Sequence, residues 1–176
     1  METHPLGEAA YELALSRFGV MFFDDPGAAF ANIHRALRPG GRLAFLCWQA
    51  LELNEHMTIP FATVAPFLSE PPRPGAPEGP GPFSLADPER IRTLLDDAGF
   101  TDVTAEPSTE TMRMGADADD VAAHLMTHPV ARTLLRDATP GIAAKAAAAL
   151  REALHAHAGP DGVRLASAAW LVTATA

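Results

Sequence analysis

Between Tyr11 and Trp48 the apolar positions change their spacing twice. Tyr11, Leu13 and Leu15 alternate with Glu12, Ala14 and Ser16, the period of a strand. Asp25-Pro26 then opens a helix, with a side-chain acceptor for free amides and a proline where no N–H is missed. Phe30, Ile33 and Leu37 follow at helical spacing and form one apolar stripe. Arg38-Pro39-Gly40-Gly41 is expected to stop that helix in a turn. Leu43 to Trp48 is a nearly unbroken apolar run, as in a strand covered on both faces of a parallel sheet. The stretch therefore predicts a βαβ unit with a right-handed crossover.

Downstream the pattern is less regular. Met57, Phe61, Val64 and Leu68 keep helical spacing, but Pro60 and Pro66 interrupt it, predicting a short helix and a bent second one. Pro71 to Pro82 is dominated by proline and glycine and reads as an extended loop, either over a pocket mouth or as a linker, with a proline-recognition ligand as the further reading. Asp87-Pro88 opens a helix that Gly99 ends, and Phe100 to Glu106 alternates as a strand. Asp117 to Leu135 is helical with a break at Pro129, and Thr139-Pro140 opens an alanine-rich helix running to His157. After a turn at residues 159–162, Val163 to Thr175 closes the chain as a strand.

The segments SRFGVMFFDDP and ALRPGGRL, with DPERIRTLLDDAGFTDV and AAWLVTA further on, resemble the second half of class I S-adenosylmethionine-dependent methyltransferases of the ubiquinone-biosynthesis, or methyltransferase type 11-like, kind. The resemblance implies an α/β, partial Rossmann-like fold. Its mixed sheet has about four strands in the order first, second, fourth, third, the last antiparallel, with helices on both faces. Residues 1–176 then form a single truncated domain. The family's glycine-rich loop and its acidic ribose-binding residue have no counterpart in the 176 residues, so this chain alone is expected to be inactive and to bind S-adenosylmethionine weakly or not at all.

Open α/β sheets bind ligands at the carboxyl ends of their strands. Ser16, Arg17 and Phe18 stand there, and the resemblance sets them against the methionine part of the cofactor. Phe23 and Trp48 are the candidate substrate-facing aromatics; each also reads as core. The implied reaction is methyl transfer to a small-molecule acceptor, with no catalytic base identified. Two other readings stand beside it: a non-catalytic binding or scaffold protein, and an enzyme of unrelated chemistry on the same fold. The strand at 11–16 should also be an open edge, inviting a second copy or a partner chain.

Charge and composition narrow the partners. A formal net charge of −9 disfavours nucleic acid and anionic membrane surfaces, which would repel the chain. No signal-peptide pattern or bilayer-length apolar run is present, and a cytoplasmic location is the expectation. Cys47, the single cysteine, reads as a small core hydrophobe. His124 and His128, four apart, have the spacing of metal ligands on a helix; with Pro129 following, an exposed helix pair is the favoured reading and no metal is expected.

Overall fold

The computed structural model describes residues 4–69 and 79–176, so most of the proline-rich loop expected at 71–82 lies outside the described residues. The strands are β1 (Tyr11–Arg17), β2 (Leu37–Trp48), β3 (Thr101–Gly115), β4 (Ala158–Gly159) and β5 (Gly162–Thr175). The helices are α1 (Pro26–Ala36), α2 (Glu55–Val64), α3 (Pro88–Asp97), α4 (Ala118–Thr127), α5 (Pro129–Leu134) and α6 (Pro140–His155). The sheet order is β1-β2-β5-β3, with the short β4 paired to β5. β1 and β2 are parallel, with Leu13 beside Arg42 and Arg17 beside Leu46. β5 is antiparallel to β2, with Leu43 beside Ala174 and Trp48 beside Ala169. This is the α/β mixed sheet and the strand order expected, with β4 added.

Local chemistry accounts for the helix starts. Asp25, Asp87, Asp117 and Thr139 each stand at an N-cap and accept a backbone N–H, and proline follows at the first turn in α1, α3 and α6. The break at Pro129 also forms as expected. His128 is there the N-cap of α5, its Nδ1 accepting the Val130 N–H, rather than a member of one helix face with His124. Among the described residues no cluster of histidine, cysteine or carboxylate side chains could hold a metal.

Three elements differ from the pattern-based expectation. Pro39-Gly40-Gly41 is a bulge inside β2, which begins directly at Leu37. Tyr11 pairs with Leu37 and Leu13 with Arg42, so β2 carries the extra residues. Gly40 has φ +76°, and a Cβ on Gly41 would lie 2.8 Å from the Arg38 carbonyl oxygen. The chain end pins this bulge: Gly40 N–H donates to the Ala176 carbonyl at 2.7 Å, and Ala176 N–H donates to Gly41 at 2.9 Å. Second, β3 runs on to Gly115 through Pro107. β3 is the last strand in the order, where a missing N–H breaks no ladder on the free side. Third, the 54–68 segment is one helix, α2, containing Pro60 and followed by a 3₁₀ turn at Ala65–Phe67.

The described residues divide into two compact units. One comprises residues 4–50, 79–109 and 168–176; its core is Met21, Phe30, Ile33, Leu43, Phe45, Leu85, Leu95 and Val172 with their neighbours. The other comprises residues 51–69 and 110–167, built on Val121, Leu150, Leu154, Val163 and Leu165. No helix among the described residues is long and apolar enough to cross a membrane.

Candidate functional site

The candidate site lies in the first unit, where the parallel strands β1 and β2 end side by side. Residue 17 is the last of β1, and the next residue turns sharply. Phe18 has φ +57°, a conformation that costs a bulky residue about 1 kcal/mol or more. Its N–H still donates to Leu46 at 3.0 Å, extending the ladder by one rung. The turn lays the Phe18 ring on Trp48, with ring centroids 3.9 Å apart and planes at 16°. Aromatic pairs contribute about 0.5–1.5 kcal/mol beyond area burial, comparable with the backbone cost. Both rings remain half-buried, so part of the pair faces outward.

The five residues singled out by the sequence do not all meet. Ser16, Arg17 and Phe18 are contiguous at the β1 end, Ser16 half-buried and Arg17 exposed. Phe18 joins Trp48. Phe23 instead packs edge-on against Phe30 of α1, centroids 5.9 Å apart at 87°, and lies against the core of this unit. Val20–Phe22 forms a 3₁₀ turn that splits the apolar run: Met21 is buried and Phe22 is 55% exposed.

Two contributors escaped the pattern. Met21 Sδ accepts the Trp48 N–H at 3.4 Å, fixing the strand end beneath the aromatic pair. Its carbonyl also receives the Gly81 N–H at 3.0 Å and the Ser84 hydroxyl at 2.7 Å. Gln49, buried just after Trp48, donates Nε2 to Ala169 at 2.7 Å and its backbone N–H to Ala168 at 3.0 Å. A polar residue terminating an apolar run is the one signal that could have drawn attention to Gln49. Nothing in spacing foretold a thioether accepting from a residue 27 positions on.

Acid–base candidates are few. Burial pushes the Cys47 thiol up to about 12, and its Sγ lies 3.6 Å from the Leu85 carbonyl, so it stays a protonated core group. In the second unit, His56 is held below the ordinary histidine range by burial, partly offset by contact with the Ala166 carbonyl. The neighbouring Glu55 carboxylate accepts the Ala166 N–H at 2.9 Å. That unit also carries an open groove of about 420 Å³ lined by Phe67, Leu68, Leu134, Ile142 and Lys145 among others. His124 and His128 are both exposed.

With this geometry in view, comparison with known proteins is informative. A family model described as a methyltransferase domain matches residues 1–45, which include β1, α1 and the start of β2. The malonyl-[acyl-carrier protein] O-methyltransferase of Pseudescherichia vulneris is 34% identical over 68 residues, covering 32% of this chain and 27% of that protein. Its counterpart in Hahella chejuensis is 46% identical over 43 residues, covering 24% of this chain and 15% of that protein. The matches thus span well under a third of these curated relatives. Among solved structures, the YcgJ protein of Bacillus subtilis aligns over 99% of this chain and 67% of its own at 14% identity, with a TM-score of 0.52. A protein of Anabaena variabilis assigned as an antibiotic-pathway methyltransferase aligns over 99% and 70% at 13% identity, with a TM-score of 0.56. These last two likenesses concern the fold.

Proposed function

We propose that the chain is a class I S-adenosylmethionine-dependent methyltransferase by kind and that it supplies one wall of a methyl-transfer site. The observation that carries this reading is the Phe18–Trp48 stack, set at adjoining carboxyl ends of two parallel strands. An aromatic face there suits a sulfonium, because a cation is attracted to the ring quadrupole. Arg17, exposed beside it, has a fork geometry that matches the carboxylate of the methionine part. Ser16 adds a hydroxyl capable of donating and accepting.

These residues fit one end of the cofactor only. The adenine and ribose require a further donor set, which the family resemblance ascribes to a glycine-rich loop and an acidic residue on a segment outside these 176 residues. S-adenosylmethionine, when bound, supplies an electrophilic methyl group on sulfur. What this chain does is hold the methionine end, exclude water with the aromatic pair and keep acceptor and methyl in line. Positioning of that kind accounts for much of such a rate. The acceptor we propose is a small molecule with an apolar part. The printed names of the two curated relatives make an acyl-linked carboxylate the first alternative to assay.

The test is direct titration of this chain with S-adenosylmethionine by calorimetry. Hydrogen bonds to charged groups contribute about 1.5–3 kcal/mol each. A site short of about three such bonds should fall from micromolar to roughly millimolar affinity. A dissociation constant between about 0.1 and 10 mM, weakened by Trp48→Ala and by Arg17→Ala, is expected on this arithmetic. Binding tighter than about 50 µM would mean the chain holds a whole site, and no saturable binding would remove the cofactor role.

A further inference from the structure

We propose that the segment 81–86 positions Trp48 by acting through Met21, so that Met21 and Ser84 are positioning residues for the site. The inference rests on the methyl-transfer reading and adds to it the residues that fix its aromatic wall. The β1–β2 ladder stops just short of that wall. Its paired register ends at Arg17 beside Leu46, and the Phe18 N–H adds a last bond to the Leu46 carbonyl. In a regular parallel ladder the Trp48 N–H would next meet the Phe18 carbonyl, because each residue bonds to partners two apart on the neighbouring strand. Phe18 leaves the extended region at that point, with φ +57°. The Met21 thioether comes in there: its Sδ accepts the Trp48 N–H at 3.4 Å. Met21 is 1% exposed, so this bond forms away from water. It sets the backbone of the residue whose indole stacks on Phe18.

Met21 is held in its turn. It lies in the 3₁₀ turn Val20–Phe22, and a turn that short leaves its carbonyls to find partners elsewhere. A carbonyl has two lone pairs, and that of Met21 receives two donors from one place. These are the Gly81 N–H at 3.0 Å and the Ser84 hydroxyl at 2.7 Å. A turn in which the Ser84 N–H donates to the Gly81 carbonyl at 3.1 Å keeps the two donors together. The segment is fastened at its other end as well. Leu85 is 1% exposed, and its carbonyl lies 3.6 Å from Cys47 Sγ. The Ala86 carbonyl accepts Trp170 Nε1–H at 2.8 Å. Cys47 and Trp170 stand opposite each other on β2 and β5. Segment 81–86 thus runs from the sheet to Met21, and two hydrogen bonds in series link Ser84 to the Trp48 backbone.

Heteronuclear NMR of the full chain reads both halves of the proposal, through exchange of the Trp48 amide and through titration with S-adenosylmethionine. Met21→Leu keeps the apolar bulk and removes the acceptor. It should speed Trp48 amide exchange at least about tenfold while the Leu43 and Phe45 amides keep their protection. It should also weaken S-adenosylmethionine binding about two- to tenfold, the worth of one hydrogen bond. Ser84→Ala should move both readouts the same way by less, and Ser84→Thr, which keeps the hydroxyl, should restore them. A residue that merely fills the core would loosen the whole strand, so uniformly faster exchange along β2 overturns the proposal. So does a Trp48 amide indifferent to both variants, and so does a cofactor affinity that neither variant changes although the parent binds. No saturable binding by the parent is a different failure: it removes the methyl-transfer reading, and the proposal with it, before any variant is made. Should Met21→Leu unfold, Ser84→Ala and its threonine rescue decide alone.

Discussion

Neighbouring strands β1 and β2 have much the same apolar content, yet their side chains meet opposite fates. Leu43, Phe45 and Cys47 are buried to 2% exposure or less, while Leu13 and Leu15 stand half or more in solvent. Both strands belong to the same unit and are hydrogen-bonded to each other. The difference is place in the sheet. β2 has β1 on one side and β5 on the other, with Phe30 and Ile33 of α1 in the same core. Among the described residues β1 has a strand neighbour on one side only. An alternating apolar pattern thus says that a strand expects a covered face, not that this chain supplies the cover.

The contrast can be broken most forcefully by truncation. Phe45→Ala should cost about 3–5 kcal/mol by leaving a cavity among Phe30, Leu43 and Val172. Leu15→Ala, measured at concentrations below any association, should stay within about 0.5 kcal/mol. Urea denaturation of both variants decides it, and similar losses at the two positions would erase the distinction between the strands.

Cys47 sharpens the same contrast through pH. Its thiol ionises near 9.0 when the chain is unfolded but only at about 12 when folded, because burial disfavours the thiolate. Between those values the unfolded state binds fewer protons, so stability falls as pH rises, by about 1.4 kcal/mol per unit. Denaturation midpoints across that alkaline window should therefore drop in the parent and hold nearly level in Cys47→Ala. Under native conditions at pH 8, iodoacetamide should leave Cys47 untouched while labelling a Leu15→Cys/Cys47→Ala variant rapidly. Equal labelling of the two would contradict the burial on which the comparison rests.

The smallest expected effect concerns the helix that follows β1. Asp25 Oδ1 accepts the Ala28 N–H at 2.9 Å, satisfying one of the free amides at the start of α1. Asp25→Ala should lower stability by about 1 kcal/mol, with Asp25→Ser retaining most of it. Thermal unfolding monitored by circular dichroism reads both. A neutral alanine variant would mean that packing of Phe30 and Ile33, not the cap, sets where α1 begins.

Much of this was legible locally. Asp25-Pro26, Asp87-Pro88 and Thr139-Pro140 mark helix starts because caps act within one turn of the chain. The strand periods at Tyr11 and Leu43 are visible because side chains alternate whatever surrounds them. Pro129 divides α4 from α5 for an equally local reason, its missing N–H and its ring. Other features needed partners distant in sequence. Pro39-Gly40-Gly41 has the composition of a turn and becomes a bulge because Ala176 hydrogen-bonds across it. Pro107 sits within a strand because β3 is the last in the sheet. Phe18 meets Trp48 through a backbone turn at φ +57°, and Phe23, after the 3₁₀ turn at Val20–Phe22, packs on Phe30 instead. The sequence by itself determined periods, caps and breaks, which depend on contacts within a few residues. Only the tertiary structure decided which faces are covered and which aromatics converge, because those outcomes depend on what the rest of the chain brings alongside.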